Sequence, residues 1–224
     1  MISFGILNLK QRNGREVLTK ITPGESLDVI IRLNDTGWSL KPKHKLRLAL
    51  SSQLWPMAWP VAERATITLN LVHCSLDLPI RTNNTCNDIE SPFEPPAAAD
   101  PLPHDIILPT KATRNVNTNI ETGEITYKIK IDGGKTKYRD IDLTYGSNSS
   151  QKYTIVDGDP LSACIEYKSD FSFEREGWYI RTRSRLKTTC DASNFILKGR
   201  ILGFENGQQV FIRDWNVKIP RLIF

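Results

Sequence analysis

The sequence lacks the patterns of a membrane protein and of a metal or cofactor site. Its apolar runs are short, and none approaches the roughly 20 residues that a transmembrane helix needs. The four cysteines, Cys74, Cys86, Cys164 and Cys190, form no C-x-x-C pair, and no histidine lies at a zinc-like spacing from them. We therefore expect no metal ion, no cofactor and no membrane contact.

The cysteines also bear on the compartment. No other feature of the sequence points outside the cell, so we expect free thiols and a cytoplasmic protein. A disulfide between Cys74 and Cys86, across a polar loop, is the alternative in an oxidising compartment.

Composition is close to that of soluble globular proteins. Hydrophobic residues make up 39% and charged residues 25%, which indicates neither disorder nor membrane insertion. A net charge of +5 and a pI near 9.0 raise the question of a polyanionic partner. Acidic residues interleave with the basic ones, as where Asp132 and Asp140 bracket the basic residues 135–139. We expect a solvated sheet face; an anion-binding or acidic-partner surface is the alternative, and nucleic-acid binding is not expected.

Arginines alternate with other residues in one predicted strand. Arg181, Arg183 and Arg185 recur with a period of two, which places them on one face of the strand. The opposite face then carries Trp178, Ile180 and Leu186.

Short strands dominate the chain, and no long amphipathic helix is predicted. The candidates are rich in Ile, Val, Thr and aromatic residues and are bounded by Gly, Pro, Asn or Asp. They lie at 4–10, 27–33, 45–51, 65–72, 124–131, 139–143, 162–168, 178–186, 194–205 and 209–219. Asn206-Gly207 predicts a tight hairpin, and Gly133-Gly134 a second turn that also reads as a hairpin. The pattern predicts an all-β fold, an antiparallel β-sandwich or jelly roll.

A proline-rich segment at 91–109 interrupts the strand pattern. Its six prolines lack a donor N–H, so we expect no ladder pairing there. The simplest division places domains at residues 1–105 and 106–224, and a single sandwich crossed by this segment is the alternative.

Several segments share a pattern with one protein family. They include Phe4-Gly-Ile-Leu-Asn-Leu, the stretches 27–34 and 42–51, Trp55-Pro-Met-Ala-Trp59-Pro60 and Arg213-Asp-Trp215. In this order they resemble the serine hydrolases of the cocaine-esterase and X-Pro dipeptidyl-peptidase type. The resemblance implies that residues 1–105 are the latter part of a jelly roll of the galactose-binding-like kind, expected to be incomplete, and that residues 106–224 are a further C-terminal β extension.

The catalytic elbow of that family has no counterpart here. No segment fits the G-x-S-x-G pattern, so no catalytic residue is carried over to this chain. Ser162 follows Asp159-Pro160, which is typical of a turn before a strand. The resemblance therefore implies a non-catalytic part of a hydrolase that packs on an α/β-hydrolase catalytic domain, in the same polypeptide or in a separate chain, and shapes substrate access. An unpaired sheet edge at residues 4–10 would add self-association.

Four residues are the candidate domain-interface or ligand-stacking residues. Trp55, Met57 and Trp59 lie in a stretch stiffened by prolines, where large amphipathic rings favour packing or recognition. Intrachain packing, contact with a hydrolase domain and ligand stacking are the alternatives. The last would make the chain a free-standing carbohydrate-binding module. His44 is expected to fix a turn at the start of a strand, where Lys43 replaces the glycine usual in the family.

Overall fold

The computed structural model describes residues 1–63, 65–80 and 94–221. Contacts divide the chain into two compact units, Met1–Ser51 and Ser52–Arg221. The predicted all-β antiparallel fold is confirmed, since an eight-stranded antiparallel sheet dominates and the only helical elements of the described residues are two 3₁₀ turns, Leu9–Gln11 and Leu71–His73. The division at residue 105 stays a prediction. None of the described helices has the length and apolarity to cross a membrane.

The strands predicted at 4–10, 27–33 and 45–51 are not formed, and these predictions are wrong. The unit Met1–Ser51 contains no strand. The contacts between its segments are local and form no ladder; for example, the Asn34 N–H donates to the Phe4 carbonyl at 3.0 Å and the Ser3 hydroxyl donates to the Asn34 carbonyl at 2.6 Å. Alternating polarity describes side chains, whereas a strand also needs a continuous backbone partner.

The strand predicted at 65–72 is absent as well. Its last residues enter the 3₁₀ turn Leu71–His73, because the Asn70 side chain accepts from the Val72 N–H and starts a turn there.

The sheet is a meander of long strands. They are β1 (His104–Leu108), β2 (Lys111–Thr118), β3 (Glu124–Tyr138), β4 (Leu143–Val156), β5 (Asp159–Arg175), β6 (Trp178–Cys190), β7 (Asn194–Glu205) and β8 (Gln208–Pro220). From β3 to β8 each strand pairs with the next in the chain. β1 and β2 lie end to end along β3, β1 beside its last residues and β2 beside its first.

β1 corrects the prediction that the proline-rich segment forms no ladder. The five residues of β1 contain no proline, and Pro103 and Pro109 flank them. Proline is tolerated beside a short edge strand because the donors it lacks lie outside the ladder.

The two predicted turns had different outcomes. Asn206 and Gly207 join β7 to β8 with φ values of 48° and 83°, so the tight hairpin is confirmed. Gly133-Gly134 is not a hairpin: it forms an irregularity inside β3, where the register against β4 shifts between Asp132 and Lys135. The Asp132 carboxylate accepts from the Gly134 N–H at 3.0 Å, which fixes a bulge where the strand continues on both sides.

Cross-strand register separates two chemically different faces. Residues directly opposite each other in neighbouring strands share a face. One face, which we call the aromatic face, carries Tyr127, Ile129, Tyr145, Tyr153, Ile165, Tyr167, Phe171, Phe173, Ile180, Leu186, Phe195, Leu197, Ile201, Phe211, Trp215, Val217 and Ile219. The other, the charged face, carries Lys128, Lys130, Lys152, Glu166, Lys168, Asp170, Arg181, Arg183, Arg185, Lys187, Lys198, Arg200, Asp214 and Lys218. The predicted alternation of Arg181, Arg183 and Arg185 with Ile180 and Leu186 is confirmed.

Few side chains of the sheet are fully buried. Ala163, 1% exposed, is the one hydrophobic residue that is fully buried within the described chain. All thirteen residues of the edge strand β8 are exposed. The fold therefore depends on cross-strand pairs more than on a closed core.

One cross-strand cluster on the charged face is half-buried. Asp170, whose side chain is 27% exposed, accepts from the Arg181 Nε at 2.7 Å and from the Arg183 Nε at 3.2 Å. Burial alone would raise the pKa of Asp170, but the two guanidinium groups outweigh it and hold that pKa below its ordinary value.

We expect Asp170→Asn to lower the free energy of unfolding by about 1 kcal/mol at pH 7. A carboxylate whose pKa is lowered by folding stabilises the protein above its unfolded pKa of about 4, and this stabilisation is lost as the pH falls through the folded pKa. Urea unfolding from pH 7 to pH 2.5 should show the variant and the wild type converging in acid. A constant difference at all pH values would contradict the ion-pair origin.

We expect Gly134→Ala to destabilise the sheet by about 2 kcal/mol, since Gly134 has a φ of +68° and an added Cβ would collide with the Leu108 carbonyl oxygen. Gly37→Ala is the matched control because its Cβ would meet no atom within 4 Å. Urea unfolding followed by circular dichroism measures both. Equal midpoints for the two variants would contradict the role of the bulge.

Candidate functional site

The tryptophan segment, residues 54–60, forms one compact turn. The Ala58 N–H donates to the Leu54 carbonyl at 2.9 Å, which brings Trp55 and Trp59 onto the same side. Their ring centroids lie 5.2 Å apart at 87°, an edge-to-face pair. Pro56 and Pro60 restrict the backbone on either side.

The tryptophan segment packs on the aromatic face of the sheet. Trp55 contacts Tyr153 edge-to-face with centroids 6.2 Å apart, and Trp59 contacts Phe195 at 5.5 Å. The Trp59 indole N–H donates to the Cys190 sulfur at 3.2 Å. The segment therefore covers β4, β6 and β7 at one end of the sheet.

Arg221 binds the C-terminal end of the tryptophan segment. Its guanidinium donates to the Pro60 carbonyl at 2.6 Å and to the Asp191 carbonyl at 3.2 Å. The same group lies 5.0 Å from the centroid of the Phe195 ring, and the backbone N–H donates to Ser193. One cation thus joins the segment, the β6–β7 turn and the end of the chain that follows β8.

The turn that receives Arg221 is held by Asp191. Its carboxylate accepts from the backbone N–H groups of Ser193 and Asn194, at 2.8 Å and 2.6 Å. These two hydrogen bonds hold the pKa of Asp191 below its ordinary value. The turn therefore keeps its shape at neutral pH and presents its carbonyl to Arg221.

The predicted site residues have different surroundings. Trp55 and Trp59 are half-buried, and Met57 is 64% exposed at the tip of the turn. His44 belongs to the other compact unit, where its N–H donates to the Lys41 carbonyl at 3.1 Å in an exposed turn. Lys43 has a φ of 72°, a conformation that favours glycine, which is the residue the family resemblance implies there.

The orientation of the two tryptophan rings is relevant to the alternative in which they stack on a ligand. Sugar rings stack on flat, accessible aromatic faces, whereas Trp55 and Trp59 are perpendicular and each contacts a ring of the sheet. The carbohydrate-binding alternative stays a prediction, and intrachain packing accounts for the contacts that these rings make.

Side chains that could carry chemistry are engaged in structural contacts. The Ser162 hydroxyl donates to the Asp159 carbonyl at 2.6 Å and accepts from the Val156 N–H at 2.8 Å, so it closes the β4–β5 turn. A depression of about 370 Å³ beside β1 is lined by Pro101, Leu102, His104, Ile106, Thr136 and Tyr138. Among the residues that the structure describes, no group of three His, Cys, Asp or Glu side chains could hold a metal ion.

Two of the cysteines lie in the sheet as free thiols. Cys164 and Cys190 are half-buried free thiols, and burial raises the pKa of the Cys164 thiol. Cys86 lies outside the described residues, so the disulfide between Cys74 and Cys86 stays a prediction.

Comparison with known families finds a match for the first part of the chain. Residues 1–90 match the X-Pro dipeptidyl-peptidase C-terminal non-catalytic domain. The resemblance to the X-Pro dipeptidyl-peptidase type is confirmed for these residues, and the resemblance to cocaine esterases stays a prediction. No curated protein matches the chain, and no solved structure does.

The tryptophan segment lies inside the part that matches the X-Pro dipeptidyl-peptidase domain, whereas β1–β8 lie beyond it. The residues that receive the segment, which are Tyr153, Cys190 and Phe195 of the sheet and Arg221 after β8, were not predicted as site residues. Their signal in the sequence is weak, because only the register of four strands shows that the first three share a face.

We expect Trp59→Ala to lower the free energy of unfolding by about 2 to 3 kcal/mol, below the 3 to 5 kcal/mol of a fully buried tryptophan. The variant loses the ring contact with Phe195 and the hydrogen bond to Cys190. Trp38→Ala, at a ring that is 66% exposed, is the matched control and should cost under about 0.5 kcal/mol. Equal effects in urea unfolding would show that the docked segment does not stabilise the sheet.

Proposed function

We propose that this chain is a non-catalytic part of an X-Pro dipeptidyl-peptidase or ester-cleaving serine hydrolase, and that it packs on the α/β-hydrolase catalytic domain. The match of residues 1–90 to the C-terminal non-catalytic domain carries the proposal. A domain of that kind belongs to a larger peptidase, so its natural neighbour is the catalytic domain, either in the same polypeptide or in a separate chain.

The open part of the aromatic face supports this role. Beyond the tryptophan segment, Phe211, Trp215, Val217 and Ile219 of β8 are 39 to 50% exposed. Leu186 of β6 and Trp178 at its start are each 39% exposed on the same side. A contiguous apolar surface with aromatic rings is typical of a protein interface.

The docked segment connects the family match to this surface. Trp59 and Arg221 fix the tryptophan segment to the sheet, and both belong to the unit Ser52–Arg221. Matched residues and the open aromatic face therefore move together. In the proposed assembly, a catalytic domain that receives this face would have one wall of its substrate entrance formed by this unit.

The proposal is tested on the native protein. Antiserum raised against this chain is used to precipitate the native species from cells, and the precipitate is treated with a fluorophosphonate probe that labels reactive serines. We expect one labelled polypeptide, either the band that the antiserum recognises or a stoichiometric companion, together with cleavage of an X-Pro or ester substrate. A precipitate without a labelled polypeptide and without that activity would contradict the proposal.

The aromatic face is tested by a substitution on β8. We expect Phe211→Asp to weaken binding to the hydrolase polypeptide so identified by at least tenfold, since a carboxylate would be buried in an apolar interface. Ile212→Asp is the matched control, because this side chain is 52% exposed on the charged face of the same strand. The affinity of each variant for the hydrolase polypeptide is measured by co-precipitation titrations with salt-washed components. Equal binding by the two variants would exclude the aromatic face as the contact.

A further inference from the structure

The charged face concentrates positive charge in one place. Eight cations, which we call the cationic belt, cross the neighbouring strands β3 to β7 in two adjacent rows. One row contains Lys128, Lys152, Lys187 and Lys198, and the other contains Lys130, Lys168, Arg185 and Arg200. With neighbouring strands about 4.8 Å apart and alternate residues nearly 7 Å apart, the belt is roughly 20 Å long and 7 Å wide.

Like charges lie directly opposite one another within the belt. The pairs are Lys128 with Lys152, Lys168 with Arg185, Arg185 with Arg200, and Lys187 with Lys198. Directly opposed like charges destabilise a sheet, whereas opposite charges at the same positions would stabilise it. The stability of the sheet therefore does not explain why these positions of the belt carry cations.

Few anions of the sheet neutralise the belt. Glu166 lies 3.5 Å from Lys187, and Asp214 lies 2.6 Å from Arg200. Over the part of the chain that the structure describes, the other six belt cations make no ion pair. Four of them, Lys130, Lys168, Arg185 and Lys198, are exposed.

We propose that the cationic belt binds an acidic segment of a partner protein through its carboxylates, a function beyond the packing role proposed above and independent of it. The belt lies on the face opposite the tryptophan segment and the open aromatic face, so both surfaces can be occupied at once. Arg200 and Asp214 are an example of this contact within the chain. The Arg200 guanidinium binds both oxygens of the Asp214 carboxylate on the neighbouring strand, at 2.6 Å and 3.1 Å.

The surroundings of the belt favour carboxylates over other polyanions. Single-stranded nucleic acid binds through stacked bases, and the aromatic rings of the charged face, Tyr179 and Phe204, are half-buried, Phe204 beneath Arg183. Membrane-surface segments pair cations with exposed apolar anchors, whereas in the belt each exposed cation is flanked across the strands by further polar residues. A flat cationic surface suits an extended acidic polypeptide.

Binding of fluorescent poly-L-glutamate to the full chain tests the proposal, with anisotropy followed from 20 to 300 mM salt. The belt variant is Lys168→Glu/Arg185→Glu/Lys198→Glu. The matched control is Arg15→Glu/Lys20→Glu/Lys41→Glu, which changes the net charge equally at exposed cations of the other unit. Oligo-dT and vesicles with phosphatidylserine are the competing probes.

We expect saturable, salt-sensitive binding of poly-L-glutamate that the belt variant loses by at least tenfold and the control retains. A second readout keeps a folding defect distinct from a binding defect. Arg185→Glu should raise the urea midpoint of unfolding, because it converts two like-charge pairs into opposite-charge pairs, while it lowers binding. Equal binding by both triple variants, or tighter binding of oligo-dT or vesicles than of poly-L-glutamate, would overturn the proposal.

Discussion

The register of a single antiparallel sheet is the constraint on which the rest of the structure depends. Each strand from β3 to β8 pairs with the next, so one slip of a residue would exchange the aromatic and the charged face along that strand. A closed core also protects the register, whereas Ala163 is the one fully buried hydrophobic residue of the described chain. The surfaces proposed for packing and for acidic partners both follow from this separation of faces.

The tryptophan segment covers one end of the aromatic face. Trp55 and Trp59 lie over Tyr153 and Phe195, and Arg221 closes the arrangement from beyond β8. This cluster ties residues inside the family match to the sheet outside it. The tryptophan segment is held on the sheet by few aromatic contacts. Such an arrangement is suited to a protein that is stabilised further by a neighbouring domain.

The sequence predicted the second half of the fold better than the first. β6, β7 and β8 were found from alternation, and Asn206-Gly207 identified their tightest hairpin, because these signals are local. The strands expected before residue 73 were wrong, since alternating polarity does not reveal whether a partner strand exists. Gly133-Gly134 is compatible with a hairpin as well as with a bulge, and only the continuation of β3 beyond these glycines decides between the two.

The candidate site was predicted in part. Two tryptophans so close together are a strong signal in the sequence, but their ring partners are 98 and 136 residues away and depend on the register of the whole sheet. No local signal connected Arg221 with the tryptophan segment, because an arginine after a strand is ordinary. From the sequence, an acidic-partner surface was only the alternative for a similar reason: the charges of the cationic belt are spread along five strands, and only the cross-strand register brings them together.

Hydroxyl-radical footprinting of the aromatic side chains tests the central claim most directly. Phe211, Trp215 and Trp178 would be compared between the isolated chain and the native species recovered from cells, with Trp38 as an exposed reference. The account predicts rapid oxidation in the isolated chain and strong protection of these three residues in the native species. Equal oxidation rates in both would show that the aromatic face stays open, and would contradict its role as the surface that packs on a catalytic domain.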